Sequence, residues 1–545
     1  MGLYLLHLHL HGLFRGCDLE LGRDADTGGQ TTYVLELAQA LAAHSEVEQL
    51  EVVTRLIDDR RLSADYARPI EALAPGASIL RFPCGPKRYL RKELLWPHLD
   101  QLADTLVAHL GSGARHPDWI HAHYADAGYV GALVSRRLGI PLVYTGHSLG
   151  REKLRRLLAN GADHAQMEKL YAISRRIEAE ELALAQSLLV VTSTRQEADH
   201  QYGRYGHYQP GRAEVIPPGV DRDRFHPGGP RRRPGLGLPR AVAVPDAGRA
   251  TDAEAEVEEL LRPFLREPER PPLLTICRAD RRKNILALIE AFGSSPVLRE
   301  RHNLVLVLGC RQDPRHLEKQ QRDLFQQVFE LIDRFDLYGL VAYPKRHGSV
   351  HIPHLYRWAA QRRGVFVNPA LTEPFGLTLL ESAASGLPVV ATDDGGPREI
   401  VARCRNGLLV DVSDLQGLRK ALELAMADPV RWHRWRDQGL EAVGLEFSWE
   451  AHVGAYLAAV LRRCGLATSA AVILAPRPGG ARRSPPPQDS RASERWLLAP
   501  VGRMVGVQIG HPVAEVVVPE GLTRQPRAGQ LGGAQGTQQA AKLPR

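Results

Sequence analysis

Leu273-Leu-Thr-Ile-Cys277-Arg278-Ala-Asp280-Arg-Arg-Lys283-Asn284-Ile285-Leu-Ala-Leu-Ile-Glu-Ala-Phe292 runs from an apolar strand through a basic turn into an apolar helix. Short apolar runs that alternate with amphipathic helical patterns are the signature of βαβ units and a parallel sheet. The turn puts Arg278, Lys283 and the free N–H groups of a helix start at the carboxyl end of a strand, which suits a diphosphate. A solvated basic turn is the other reading of the same residues.

Working outward, this series continues through Leu304–Leu308, Val365–Asn368, Pro388–Thr392 and Leu408–Val410, and helices Leu415–Met426 and Trp449–Leu461 are expected to close it. An earlier series runs Leu3–Leu10, Leu50–Val53, Ile79–Phe82, Trp119–Ala122, Leu142–Thr145, Leu188–Thr192 and Glu214–Ile216. After its first strand, Thr31 to His44 carries Val34, Leu37, Ala38 and Leu41 at helical spacing. Between the series, residues 228–270 are rich in Pro, Gly and Arg and then turn acidic from Asp252 to Leu261, which predicts a linker with an insertion. The expected class is α/β: two Rossmann-like doubly wound domains, 1–227 and 271–447, facing a cleft, with a closing helix at 448–466. Ligands of such sheets sit at the carboxyl ends of the strands.

The 545 residues are 44% hydrophobic, enough for more than one core. No apolar run reaches the ~18 residues of a membrane span. The apolar opening Met1 to Phe14 lacks a basic start, is studded with His7, His9 and His11, and reads as a buried strand rather than a signal peptide. Six single cysteines with no Cys-x-x-Cys pair argue against a cysteine-built zinc site or disulfide scaffold, so a cytoplasmic protein is expected. Of the net charge of +8, the residues after 466 carry +6, from ten Lys/Arg against four Asp/Glu. The body is nearly neutral, and basicity gives little support to a nucleic-acid-binding protein, the remote alternative.

Asn368-Pro-Ala-Leu-Thr-Glu373-Pro-Phe375-Gly376-Leu377-Thr-Leu-Leu-Glu381 repeats the strand, turn, helix order. With a helix beginning near Phe375, the N–H groups of Gly376 and Leu377 face the cleft. Glu373 sits in the turn to accept sugar hydroxyls, and Glu381 reaches a ribose from within the helix. In the first half, Thr27-Gly28-Gly29-Gln30 opens the first helix, where glycines admit a ligand close to the backbone; a simple turn is the plainer reading. Tyr144-Thr-Gly146-His147-Ser-Leu-Gly150 ends another strand and points His147 into the same cleft. Asp24-x-Asp26 and Asp221-x-Asp223 do not follow strands as a metal site requires, so no metal is expected. A Gly-x-x-x-x-Gly-Lys-Ser/Thr phosphate loop is missing from the sequence.

Arg278…Lys283 with Glu373…Glu381 resembles the donor half of retaining GT-B glycosyltransferases. Asp26-Thr-Gly-Gly-Gln, Thr145-Gly-His-Ser-Leu-Gly-Arg-Glu-Lys-Leu, Arg175-Arg-Ile-Glu-Ala-Glu-Glu-Leu, Thr192-Ser-Thr-Arg-Gln-Glu and Ile216-Pro-Pro-Gly-Val resemble the sucrose-phosphate synthases in particular, over about Leu3 to Leu461. The resemblance implies transfer of glucose from a nucleoside-diphosphate glucose, UDP-glucose or ADP-glucose, to fructose 6-phosphate, with retention and without a further cofactor. It implies Arg278 and Lys283 on the diphosphate, Glu381 on the ribose, and Glu373, Phe375, Gly376 and Leu377 on the glucose. His147 would lie at the reacting face, with Gly28 and Gly29 beside it. Lys92, Arg175, Arg176 and Gln30 would bind the acceptor. Sucrose synthase, or another transferase with an unphosphorylated acceptor, is the alternative.

Relatives of this family often continue into a phosphatase module with an Asp-x-Asp-x-Thr loop. Here Ala471-Val-Ile-Leu leads into Ala475-Pro-Arg-Pro-Gly-Gly, where no aspartate stands. A nucleophilic carboxylate is required for a phosphoaspartyl intermediate. The expectation is therefore a mostly disordered, dispensable tail over 467–545 and a separate sucrose-phosphate phosphatase as partner.

Overall fold

The computed structural model describes residues 2–228 and 247–465, apart from positions 21, 22, 25, 160, 310, 312, 314 and 316, and only the backbone of 247–252. The tail expected over 467–545 and residues 229–246 of the expected linker lie outside the described residues.

Eight strands form the first sheet: β1 (Leu3–Leu8), β2 (Val47–Arg55), β3 (Ile70–Ala74), β4 (Ala77–Phe82), β5 (Trp119–His123), β6 (Leu142–Thr145), β7 (Leu189–Thr192) and β8 (Ala213–Val215). Their spatial order is β3-β4-β2-β1-β5-β6-β7-β8, and only β3 runs antiparallel, against β4. The second sheet holds β9 (Pro272–Ile276), β10 (Asn303–Val307), β11 (Val341–Ala342), β12 (Val365–Asn368), β13 (Val389–Thr392) and β14 (Gly407–Val410), in the order β11-β10-β9-β12-β13-β14. Both are Rossmann-like, doubly wound sheets. In each the order reverses at one point, between β1 and β5 and between β9 and β12, where the connections diverge and leave a crevice for a ligand.

Apolar residues on both faces of the strands make the cores. Leu5, Leu50, Val52 and Ile79 are fully buried under helix Gly29–Ala42, whose Val34, Leu37, Ala38 and Leu41 form the predicted stripe. Each large aliphatic side chain so buried contributes about 1.5–3 kcal/mol.

Two expectations are corrected. Helix Trp449–Arg463 does not close the second series; its Val453, Tyr456, Leu457 and Val460 pack into the first domain, and the indole of Trp119 donates to the Tyr456 hydroxyl at 2.8 Å. Nor is 228–270 all linker. Helix Ala247–Leu261 lays Val257 and Leu261 into the second core, and Glu258 accepts from the Trp358 indole at 3.0 Å and from Arg362 at 2.6 Å. Among the described residues, no helix is long and apolar enough to cross a membrane.

Candidate active site

The carboxyl ends of the two sheets meet. After β7, the backbone N–H of Arg195 donates to Glu399 at 2.5 Å, in helix Pro397–Cys404 beyond β13. The chain crosses between domains side by side, with Val220 N–H donating to Phe447 C=O at 2.8 Å and Val220 bridged to Ser448.

On the second domain's side, β9 ends at Ile276 and a single turn, Arg281–Lys283, leads into helix Ile285–Gly293. Asp280 caps that turn by accepting from Arg282 N–H. Arg278 is exposed, while Lys283 turns inward and its Nζ lies 2.6 Å from Glu373 Oε2. That oxygen also accepts from Asn368 Nδ2 at 3.2 Å. The two predicted donor turns are thus joined by one ion pair.

The second turn differs slightly from expectation: the helix begins at Leu377, and Gly376 precedes it as a left-handed cap with φ +99°. The N–H groups of Gly376 and Leu377 remain at the helix start, ahead of its internal hydrogen bonds. Phe375 packs partly into the second core. Glu381 accepts from the Tyr356 hydroxyl at 3.0 Å, and burial raises its carboxyl pKa against the lowering influence of Arg224 and that bond.

A loop that sequence reasoning did not single out completes this wall. Asp394, Gly395 and Gly396 follow β13 and pair with the Glu373 turn: Glu373 N–H donates to Asp394 C=O at 3.2 Å, Gly396 N–H to Glu373 C=O at 2.9 Å, and Thr372 Oγ1 to Asp394 at 2.6 Å. Gly395 has φ +103°, and a Cβ there would stand 2.0 Å from Glu373 C=O, so only glycine fits. The sequence signal was Asp393-Asp-Gly-Gly-Pro397 directly after a strand.

In the first domain, helix Gly29–Ala42 starts at the expected glycines, and a Cβ on Gly28 or Gly29 would meet nothing within 4 Å. The space beside them is open for a ligand. The Gln30 amide lies 3.2 Å from His9 Nδ1. His147 follows β6 with φ +56°, and its Nε2 lies 3.1 Å from His123 Nδ1. Burial pushes the His147 pKa down to about 3, with His11 adding to the effect, so the ring is neutral.

A cavity beside these residues is lined by Lys92, Glu93, Trp96, Tyr124, Asp126, Lys153, Tyr171 and Arg176. Arg176 is buried, bonds Glu180 at 3.0 Å and lies over the Tyr124 ring. Arg175, its neighbour, is exposed on Tyr129 and does not line the cavity. Lys92 is ion-paired with Asp26, which explains why Asp26 and Asp24, both also bonded by Tyr89, are not free ligands for a metal. Lys153 is the cation that sequence reasoning missed, although it stands in the quoted Arg151-Glu-Lys153. Burial, then Arg176 and Lys92, lower its pKa to about 8, and its Nζ sits over the Tyr171 ring. Three cations thus meet the carboxylates of Glu93 and Asp126 in one small cavity, with Lys92 paired to Asp26 and Arg176 to Glu180.

Residues 27–224 match the family model "Glycosyltransferase Family 4", and residues 257–441 match "Glycosyl transferases group 1". The sucrose-phosphate synthase from Thermosynechococcus elongatus superposes with TM-score 0.62 at 24% identity, covering 85% of this chain and 99% of that one. The catalytic domain of starch synthase IV from Arabidopsis thaliana, bound to ADP and acarbose, superposes with TM-score 0.56 at 18% identity, over 85% of this chain and all of that one. Two facing Rossmann-like sheets, one in each of the matched halves, give the chain the GT-B fold. Within that class it is similar to the sucrose-phosphate synthases. A probable sucrose-phosphate synthase 5 from Oryza sativa subsp. japonica is 40% identical, over 85% of this chain and 52% of that protein. Sucrose-phosphate synthase 4 of Arabidopsis thaliana is 41% identical, over 84% of this chain and 47% of that protein. The chain spans about half the length of the curated relatives it matches.

Proposed function

We propose that the chain transfers glucose from a nucleoside-diphosphate glucose to the anomeric oxygen of fructose 6-phosphate, giving sucrose 6-phosphate with retention of configuration. The observation that carries this reading is the cluster of Lys92, Lys153 and Arg176 in the first domain, cations separate from the Arg278 and Lys283 turn of the second. A transferase with an unphosphorylated acceptor needs only the latter.

Arg278 and Lys283 hold the diphosphate, Glu381 the ribose, and Glu373 with Phe375, Gly376 and Leu377 the glucose. His147, Gly28 and Gly29 lie against the glucose from the first domain. Gln30, Lys92, Lys153 and Arg176 bind the acceptor, and Arg175 stays outside the grip. The bond from glucose C1 to the diphosphate oxygen breaks, C1 bonds to the fructose oxygen on the same face, and the acceptor proton passes to the departing oxygen. Charge building on the diphosphate is met by two cations and a helix start. No side-chain base is needed, in keeping with a neutral His147. In this reading the acceptor domain is 1–227 completed by helix Trp449–Arg463, and the nucleotide-sugar domain starts near residue 253. The setting is the cytoplasm, and a separate phosphatase consumes the product.

A product assay crossing UDP-, ADP- and GDP-glucose with fructose and fructose 6-phosphate tests the proposal. Sucrose 6-phosphate is the expected product; turnover of plain fructose at a comparable rate replaces the reading with that of a sucrose synthase.

A further inference from the structure

Beneath His147 lies a set of imidazoles that the proposed chemistry does not use. His7 on β1 stands in register with His121 on β5, and His123 follows two residues later on the same face of β5; all three are fully buried. His147 Nε2 lies 3.1 Å from His123 Nδ1, and His123 Nε2 lies 3.3 Å from His7 Nδ1. The row ends at His7 Nε2, which is buried without a hydrogen-bond partner among the described residues.

Burial holds these rings neutral, with the His7 and His147 pKa values pushed down to about 3 and that of His123 well below its usual value. A neutral imidazole has one N–H and one lone pair, so fixing one ring fixes the next. The end atom decides the direction. A buried N–H without an acceptor is rarer than a buried acceptor without a donor, so His7 Nε2 is the lone pair and His7 Nδ1 carries the proton. His7 then donates to His123 Nε2, His123 Nδ1–H donates to His147 Nε2, and the His147 proton must sit on Nδ1.

We propose that His123, anchored by His7, is a positioning residue that locks His147 in the Nδ1–H form, so that His147 presents a neutral hydrogen-bond donor to the glucose of the donor substrate. The contact with glucose rests on the functional reading above; the tautomer does not. His7, His121 and His123 also lie close enough together to hold a metal ion. The relay is the better account of the trio because it uses both nitrogens of His123 in bonds already formed, leaving that ring no free lone pair for an ion.

The test is 15N NMR of the histidine side chains in the full chain, with steady-state kinetics of His123→Asn and His123→Gln. An Asn amide reaches the position of imidazole Nδ1 and keeps the bond to His147, whereas a Gln amide reaches that of Nε2 and loses it. The expected result is Nδ1–H His147 in the parent and in His123→Asn, a mixed tautomer in His123→Gln, and a kcat lower by on the order of 10–100-fold in His123→Gln alone, with the KM for UDP-glucose nearly unchanged. Nε2–H His147 in the parent overturns the proposal, even if neither variant folds. So do equal losses in both variants, or an equimolar metal ion whose removal by chelator abolishes the tautomer preference. If the parent makes no sucrose 6-phosphate, the functional reading fails, and the parent's tautomer still decides the relay.

Discussion

Lys283 Nζ and Glu373 Oε2 lie 2.6 Å apart, so the turn after β9 and the turn after β12, separated by 90 residues of sequence, form a single wall of the proposed donor site. Lys283→Ala is expected to lower kcat/KM by on the order of 100-fold, because the contact to the diphosphate strengthens as the leaving group gains charge. Glu373→Gln should cost less. The double variant should cost less than the two single losses multiplied together, since each already breaks the pair. A kinetic double-mutant cycle reads this directly, and strictly multiplicative losses mean the pair has no joint role.

Arg278 offers the complementary case. It is exposed, so Arg278→Ala should leave the melting temperature close to that of the parent while lowering kcat/KM by on the order of 100-fold. Thermal melts beside donor-saturation kinetics check it; normal activity in this variant removes Arg278 from the diphosphate site.

At the proposed acceptor cavity, Lys153 is charged below about pH 8 and neutral above it. The kcat/KM for fructose 6-phosphate, which reports the free enzyme, should therefore fall as pH rises through about 8. Lys153→Met should raise the KM for fructose 6-phosphate about 10–100-fold, flatten that limb of the profile, and leave UDP binding almost unchanged. A parallel loss of UDP affinity argues against an acceptor role.

Stability should carry a separate pH signature from Glu36, which accepts from the Trp449 indole at 3.0 Å. Burial, then Asp221, raise its pKa to about 8, with a smaller contribution from Glu381. The folded chain therefore keeps a proton that the unfolded chain loses above its ordinary carboxylate pKa, and stability falls as pH rises from about 4.5 to about 8. Glu36→Gln should remove this slope, so its melting temperature relative to the parent should improve steadily from pH 5 to pH 8. A constant difference across that range shows that Glu36 is not protonated in the folded state.

The strands were legible because parallel sheets bury both faces and so write uninterrupted apolar runs into the sequence, as in Leu304–Leu308 and Val365–Asn368. Strand β3 was not, since it is an edge whose Ile70 is exposed and whose partner is β4 alone. That the turns at Arg278–Lys283 and Glu373–Leu377 follow strands and open helices could be read from strand, turn and helix order. Local spacing could not tell that Arg176 turns inward and Arg175 outward, because adjacent helix positions differ by about 100° and the sequence does not say which faces the cavity. Lys153 was hidden for a similar reason: a lysine on an Arg-rich helix reads as solvated until Tyr171 and Arg176 are seen beside it. The homes of helices 247–261 and 449–463 depend on contacts 104 and 337 residues apart in sequence, as in Glu258–Arg362 and Trp119–Tyr456, which no local pattern carries.

The return of helix Trp449–Arg463 to the first domain has a consequence for the order of synthesis. Domains generally fold as units, the N-terminal one first as it leaves the ribosome. Here Trp119 meets Tyr456 337 residues later, so the part of the first sheet's face beside helix Gly29–Ala42 that this last helix covers stays open until the whole second domain has emerged. The nascent chain must carry that apolar face through several hundred residues of elongation, and the second domain can mature before the first is sealed.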